Sequence, residues 1–165
     1  MGGFKKKGYE GVKEIRENSD ETTEIGSEMI EQAQEIYALL DSIDLQDEED
    51  MEAVHETGSS YQHSFDSAFS EQVETKGEQI AEQGEQIRNE MESERENIRS
   101  GISKLETAGG SSEIGREAAE TGKTKLEGSA QEYEDIINDT EGAVSEVEQQ
   151  LESLKGRLGS IFENS

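Results

Sequence analysis

The chain has no cysteine, no proline and no tryptophan among its 165 residues. Without cysteine it can form no disulfide, no thiolate zinc site and no thiol nucleophile. Proline breaks or kinks helices, and average usage would supply several in a chain of this length, so its absence favours uninterrupted helix. Only 29% of the residues are apolar and 34% are charged, which is too little apolar side chain for a thick globular core. We therefore expect the apolar residues to lie in narrow stripes along helices.

Positive charge is missing from a long part of the chain. Residues 17–75 contain no Lys or Arg and eighteen acidic residues, residues 1–16 have a net charge of +3, and residues 76–165 have one of −11. The total of −26 repels nucleic-acid phosphates and anionic lipid head groups. We therefore expect no nucleic-acid partner and no membrane insertion. The expected partner is a protein, either a second copy or another helical protein, in a homo-oligomer or a hetero-complex.

Long hydrophobic runs are also absent, since no eighteen consecutive residues are apolar. The N-terminal residues do not match a cleavable signal peptide, and Lys6 stands where N-myristoylation requires Ser or Thr. We expect a soluble protein with no signal peptide or transmembrane segment. Its location stays open between the cytoplasm and export by a leaderless route.

Apolar and small residues recur with the heptad spacing of a coiled coil, in which the a and d positions form one stripe, here called the seam. The first stretch has Val12, Ser19, Gly26, Ala33 and Leu40 seven residues apart, and a d position follows each of them by three residues. This spacing predicts a first helix over about residues 9–44. The basic residues 1–8 are interpreted as a flexible N-terminal arm.

Two further heptad stretches predict helices over about residues 48–107 and 113–162, joined by a turn at Ala108-Gly109-Gly110-Ser111-Ser112. The register of the second stretch slips near Phe69, Val73 and Gly77, where two successive steps of four residues resemble a stutter. A break near Gly58 is left open, because Gly58-Ser59-Ser60 interrupts the apolar pattern. The alternatives are one helix over 48–107 or a short helix followed by a long one.

The predicted fold class is all-α, as an elongated antiparallel helical hairpin or a three-helix coiled-coil bundle, with residues 9–165 as a single elongated helical domain. The candidate site residues are the apolar members of the seam at the helix interfaces. These residues are Val12, Ile15, Met29, Ile36, Leu40, Ile43, Phe65, Ile80, Ile87, Met91, Ile98, Leu105, Leu126, Tyr133, Ile137, Val144, Val147, Leu151, Leu154 and Leu158.

Glycines occupy the seam at Gly26, Gly58, Gly77, Gly84 and Gly101, although glycine disfavours a helix by up to about 1 kcal/mol relative to alanine. A small seam residue lets two helix backbones approach closely. We expect the seam glycines to mark close helix contacts. A second set, Gly128, Gly142 and Gly156, recurs on the outer face of the third helix.

No residue pattern predicts catalysis, a cofactor or a metal. Glu52-Ala53-Val54-His55 has the Glu-x-x-His half of a di-iron bundle site, but His63 has Ser60 three residues before it. His55-Glu56 lacks the second ligand of a His-Glu-x-x-His zinc site, since Ser59 stands there. The acidic run 41–52 lacks the glycine and the ligand spacing of an EF-hand. We expect a non-enzymatic protein with no metal and no cofactor.

Two resemblances suggest alternatives. High glycine content and low hydropathy, with no Cys and no Trp, resemble late embryogenesis abundant proteins and related hydrophilins, and this implies an acidic protective or solvating protein. An acidic, leaderless helical hairpin resembles the substrates and partners of bacterial type VII secretion. Tyr37-Ala38-Leu39-Leu40-Asp41 has the Tyr-x-x-x-Asp form of their export signal, and this resemblance implies an exported protein. The preferred hypothesis is a structural or interaction protein that acts through helix-helix association.

Overall fold

The computed structural model describes residues 3–43, 46–107 and 112–163. The fold is all-α, with three long helical segments packed against one another and no strand in these three ranges. Helix α1 spans Gly3–Asp41, and helix α2 spans Glu48–Phe69. A π-helical turn, Ser70–Glu74, joins α2 directly to helix α3, Thr75–Glu106. Helix α4 spans Glu113–Glu163.

Polar side chains cap the two helix starts that follow connections. The backbone N–H of Asp50 donates to the Asp47 carboxylate at 2.9 Å, which satisfies a donor that the first turn of α2 leaves without a partner. The N–H of Gly115 donates to the Ser112 hydroxyl at 3.2 Å at the start of α4. Residues 44–45, and residues 108–111 of the predicted turn, lie outside the described residues.

The chain divides into two compact units. Unit 1 takes in Met1–Arg16 and Ala81–Val144, and unit 2 takes in Glu17–Ile80 and Ser145–Ser165. In each unit, one part of α1 packs against two helical segments that come later in the chain. Helix α1 runs antiparallel to the segment that comes next in the chain and parallel to α4.

The contacts of two glycines show these helix directions in unit 1. Gly8 lies against Met91 and Ile136, and Gly11 lies against Ile87. In unit 2, Gly26 lies against Val73 and Leu154, and Thr23 donates to Gln150 at 3.0 Å. The core of unit 2 joins all three segments. Its buried members are Ile30, Ala33, Phe65, Phe69, Val73, Leu154 and Leu158.

The N-terminal end of α1 differs from the flexible arm that the sequence predicted. The helix begins at Gly3, so residues 3–8 are helical. Lys5 forms an ion pair with Glu132 at 2.7 Å, and Lys7 forms one with Glu90 at 3.0 Å. Acidic side chains on α3 and α4 therefore attract the basic segment and hold it in the bundle.

Buried positions in α1 keep the predicted heptad from Val12 to Gly26, and over the whole helix they follow an eleven-residue repeat. They form three sets: Gly8, Ser19 and Ile30; Gly11, Thr22 and Ala33; Ile15, Gly26 and Tyr37. Val12 is buried beside them. After Gly26 the buried residues are Ile30, Ala33 and Tyr37, whereas the predicted seam residues Met29 and Ile36 are half-buried. Eleven residues in three turns give about 3.67 residues per turn against 3.5 for the heptad, and a straight α-helix at about 3.6 accommodates either repeat.

The end of α1 also differs from prediction. The helix stops at Asp41, so Ile43 lies beyond it and is 46% exposed. A residue outside the helix no longer follows the helical period, and this is why Ile43 does not join the buried face. Leu40, three residues before Ile43 and still inside the helix, is half-buried.

The predicted register slip in the second stretch coincides with the π-helical turn. Gly58 lies inside α2, where the helix is unbroken, and the departure from α-helix comes at Ser70–Glu74. The hydroxyl of Thr75 donates to the carbonyl oxygen of Ser70 at 3.0 Å. A π-turn inserts one residue into the helix, and the insertion keeps both Phe69 and Val73 buried.

Candidate association surfaces

The predicted seam residues differ in how deeply they are buried. Eleven of them are buried: Val12, Ile15, Phe65, Ile80, Ile87, Met91, Tyr133, Ile137, Val147, Leu154 and Leu158. Eight are half-buried: Met29, Ile36, Leu40, Ile98, Leu105, Leu126, Val144 and Leu151. Only Ile43 of the predicted set is exposed. In α4 the buried and half-buried residues keep the heptad from Leu126 to Leu158.

Four of the five predicted seam glycines lie at close helix contacts, whereas a Cβ at the fifth, Gly58, would lie no closer than 3.8 Å to a side chain. A Cβ atom at Gly26 would lie 2.8 Å from Leu154 Cδ1. At Gly77 it would overlap Leu151, and at Gly84 it would overlap Val144. Around Gly128, Gly142 and Gly156 no heavy atom of the described residues lies within 4 Å of such a Cβ. The seam glycines therefore permit close packing, and the second set lies on an open face.

Aromatic side chains cluster at one end of unit 2. The ring of Tyr37 meets those of Tyr61 and Phe162 edge-on, at centroid distances of 6.0 and 5.3 Å. Phe65 lies 5.9 Å from Phe162 and stacks on Phe69 at 6.3 Å. The Tyr37 hydroxyl donates to the Gly58 carbonyl oxygen at 2.8 Å. The rings of this cluster are held by packing on three helical segments.

Burial changes the acidity of the tyrosines in these cores. It raises the pKa of Tyr37, and the neighbouring Tyr61 and Asp66 add to the rise. Burial also raises the pKa of Tyr61. In unit 1, burial raises the pKa of Tyr133 and Glu94 adds to this, while Lys5, whose Nζ lies 5.6 Å from the ring centroid, lowers it. Each phenol therefore stays neutral at neutral pH.

A groove opens beside the aromatic cluster of unit 2. The groove has a volume of about 280 Å³ and lies between the C-terminal turn of α1, the first half of α2 and Phe162 of α4. Its apolar wall includes Tyr37, Leu40, Val54 and Met51, and Asp41 lies at the edge. Tyr37 and Asp41 are the two ends of the Tyr-x-x-x-Asp sequence. Tyr37 is buried, so its position here is explained by core packing.

The outer part of unit 1 packs less deeply than the rest. We call residues 92–107 and 112–132 the hairpin end, in which α3 and α4 run antiparallel. Leu126 of α4 would contact a Cβ at Gly101 of α3 at 3.3 Å, and Leu105 of α3 would contact one at Gly122 of α4 at 3.2 Å. Each leucine therefore lies over a glycine of the facing helix, which brings the two helices close together.

No described residue of the hairpin end is buried, although it contains several apolar side chains. Ile98, Ile102 and Ala119 are half-buried, and Ile114 is 80% exposed. The reason is the position of α1. Gly8 of α1 lies beside Met91, and the five residues back to Gly3 span only about 7.5 Å. The described part of α1 therefore covers little more than the first turn of the hairpin end.

Charges are divided unequally between the two units. Unit 1 contains twelve basic and eighteen acidic residues, whereas unit 2 contains three basic and twenty-three acidic residues. Ion pairs between helices are concentrated in unit 1. Arg95 pairs with Glu134 at 2.6 Å, and Lys123 with Glu106 at 3.5 Å.

Within 3–43, 46–107 and 112–163, no group of three His, Cys, Asp or Glu side chains is placed to hold a metal ion. His55 and His63 are both exposed. Over the same described ranges, no helix has the length and apolar character needed to cross a membrane.

The comparisons with known proteins return no relative. No protein-family model, no curated protein and no solved structure matches the chain. The class of the protein is therefore set by its own fold, an all-α helical bundle.

Sequence reasoning missed several buried residues. Ile136 and Ala143 of α4 are buried beside the seam, and Ile136 contacts α1 at Gly8. The sequence carries a signal for them, since Ile136-Ile137 and Ala143-Val144 are adjacent apolar pairs that widen the stripe. Gly8 and Gly11 were also missed, because both precede Val12, the first predicted seam position.

Proposed function

We propose that the protein is a non-enzymatic structural protein that acts by helix-helix association, and that the hairpin end pairs with the hairpin end of a second copy. The observation that carries this proposal is the lack of any buried residue among the described residues 92–107 and 112–132. Two helices alone shield only one side of each apolar stripe. A second hairpin would cover the remaining sides in a four-helix arrangement.

The surface continues an interface that the chain already uses. The same two helices pack against α1 through Ile87 and Met91 of α3 and Ile136 of α4. Beyond the end of α1, Ile98 and Ile102 continue the apolar face of α3 with no described α1 residue level with them. The helical surface that binds a third helix therefore extends past it.

The charge of the hairpin end is compatible with self-pairing. It contains nine acidic and six basic residues, so both signs are available for pairing across a two-fold axis. By contrast, residues 17–75 contain no basic residue, and two copies of that surface repel each other. A second copy is therefore favoured at the hairpin end over the surface of residues 17–75.

Sedimentation equilibrium and light scattering of the full chain test the proposal. We expect the mass of a dimer, and we expect the Ile98→Gln/Ile102→Gln double variant to have the mass of a monomer while circular dichroism shows it still helical. The control is Leu39→Gln, which removes an apolar side chain that is 66% exposed in unit 2 and should remain dimeric.

Two results would overturn the proposal. A wild-type chain that is monomeric up to a concentration of about 100 µM would exclude self-pairing of useful affinity. A double variant that stays dimeric would place the dimer contact elsewhere.

A further inference from the structure

The groove of unit 2 is a second surface on which the chain leaves apolar side chains accessible. Its floor is preorganised, because Tyr37 is held by the Gly58 carbonyl and by the edge of the Phe162 ring. Its mouth is formed in part by Met51, which is 52% exposed. A methionine side chain adapts its shape to different apolar partners. A fixed aromatic floor and an adaptable rim are suited to receiving side chains from outside.

We propose that this groove binds the apolar face of a basic amphipathic helix from another protein. The size of the groove favours a helix over a small-molecule cofactor. Cofactor and ligand pockets usually have volumes of about 300 to 1,000 Å³ and bury most of the ligand. The groove has about 280 Å³ and is open, which suits one or two large side chains that project from a helix. This is the helix-in-groove mode of recognition, with anchors spaced three or four residues apart.

The negative charge around the groove favours a partner with positive charge. Asp41 lies at its edge, and Glu48, Glu52 and Glu56 are exposed on the helix that forms one wall. Residues 17–75, which supply α2 and most of the groove, contain no basic residue. Of the three basic residues in unit 2, Lys155 pairs with Glu74, and none lines the groove among the described residues. A partner with lysine or arginine beside its apolar anchors is attracted by Asp41 and by the exposed glutamates of α2, whereas an acidic helix is repelled.

A pair of adjacent serines provides a matched test. Ser59 and Ser60 are both exposed on α2, but only Ser59 lines the groove. Replacing Ser59 with Trp fills the groove, and replacing Ser60 with Trp places the same side chain on the neighbouring surface. The net charge is unchanged in both variants, and neither substitution enters the core.

The probe is a synthetic amphipathic helix of leucine and lysine, about 18 residues long so that it can form a helix when bound, titrated against the full-length protein by calorimetry. We expect the wild type and Ser60→Trp to bind it with Kd values within about twofold, and Ser59→Trp to bind it at least about tenfold more weakly. A peptide of the same pattern with glutamate in place of lysine should not bind. Circular dichroism should show all three proteins equally helical.

The proposal fails if Ser59→Trp and Ser60→Trp bind the basic peptide equally, because attraction would then be general to the acidic surface. It also fails if the glutamate peptide binds as well as the lysine peptide. A second matched pair, Met51→Lys and Ile114→Lys, changes the net charge by the same amount. Only the first should weaken binding by about tenfold, because Ile114 lies in unit 1. None of these results depends on whether the hairpin end forms a dimer.

Discussion

The hydroxyl of Tyr37 in α1 donates a hydrogen bond of 2.8 Å to the backbone carbonyl oxygen of Gly58 in α2. Gly58 has no side chain, and the nearest atoms to a Cβ built there are Leu40 Cδ1 at 3.8 Å and Tyr37 Cε1 at 4.0 Å. A methyl group at this position would therefore make only ordinary van der Waals contacts with the leucine and the tyrosine ring. The bond joins the end of the first helix to the helix that follows it in the chain.

Removing this hydroxyl should lower stability. Tyr37→Phe deletes a buried hydrogen bond and should reduce the free energy of unfolding by about 1 kcal/mol, as measured by urea denaturation. Tyr9→Phe is the control, since Tyr9 is 46% exposed and should change stability by less than about 0.5 kcal/mol. Equal stability of the two variants would show that the Tyr37 bond contributes nothing.

Alkaline pH should destabilise the fold through its tyrosines. Burial raises the pKa of Tyr37, Tyr61 and Tyr133 above the ordinary value of 10.0 for a tyrosine. The unfolded chain therefore loses its phenolic protons first, and the folded state binds more protons between the unfolded and folded pKa values. The stability that these groups contribute is fully present below about pH 10 and is lost as the pH rises through their folded pKa values.

Urea denaturation at about pH 9 and about pH 11 checks this effect. Lysines also titrate in this range, so the wild type is compared with Tyr37→Phe. The variant should lose less stability over the interval because it lacks one of the buried phenols. A steeper loss in the variant would contradict the assignment of the effect to Tyr37.

Two glycines of equal helix propensity should respond oppositely to alanine. Gly142→Ala adds a methyl group to open space and should raise the free energy of unfolding by up to about 1 kcal/mol. Gly84→Ala should lower it, since the new methyl group would overlap Val144 and approach Thr140 Cγ2 at 3.7 Å. Both neighbours are β-branched and rotate little, so overpacking should outweigh the propensity gain.

Urea denaturation of the two variants measures the difference directly, because the change in helix propensity is the same in both. A stabilised Gly84→Ala variant would show that the helices can separate at no cost. It would remove the close-packing explanation for the seam glycines.

Salt should stabilise the protein. The net charge of −26 is a source of self-repulsion, and unit 2 has only three basic residues against twenty-three acidic ones. Because dissolved salt screens such charges over about 10 Å at 0.1 M and about 3 Å at 1 M, the melting temperature should rise from low to molar salt. A variant with Glu24, Glu31 and Glu35 changed to Gln should show a smaller rise. A melting temperature that falls with salt would show that attractive ion pairs dominate.

The protein should be strongly helical in dilute buffer. Core residues such as Ile15, Ile30 and Ile136 are fully buried, and helices with buried faces of this kind are stabilised by packing. Far-ultraviolet circular dichroism measures the helix content, and cooperative loss of the signal on heating would indicate tertiary packing. A weak helical signal without added partner would instead favour the protective, hydrophilin-like alternative.

Some elements were predictable because the local pattern admits one reading. In α4, Tyr133, Ile137, Val147 and Leu154 keep the heptad, and all four are buried. The third predicted helix, 113–162, differs from α4 by one residue at its C-terminal end. The start was readable because Ser112 caps the helix at the residue that the turn pattern indicated.

Other features depend on which helix lies opposite. In α1, Met29 and Ile30 are both apolar, and the same holds for Ile36 and Tyr37, so the pattern allows either member of each pair to face inward. The choice between Met29 and Ile30 depends on side chains from distant segments, including Phe65 and Leu154. No local rule contains that information.

The sequence by itself determined that the chain forms long helices, about where α4 begins and ends, and that most seam glycines lie at close helix contacts. These properties follow from propensity, spacing and residue size, which act over a few residues. Only the tertiary structure decided the register of α1, because a helix of about 3.6 residues per turn accommodates both the heptad and the eleven-residue repeat. It also decided that the described part of α1 begins little more than one helical turn beyond Met91, so that no described residue of α1 lies level with Ile98 and Ile102 of α3.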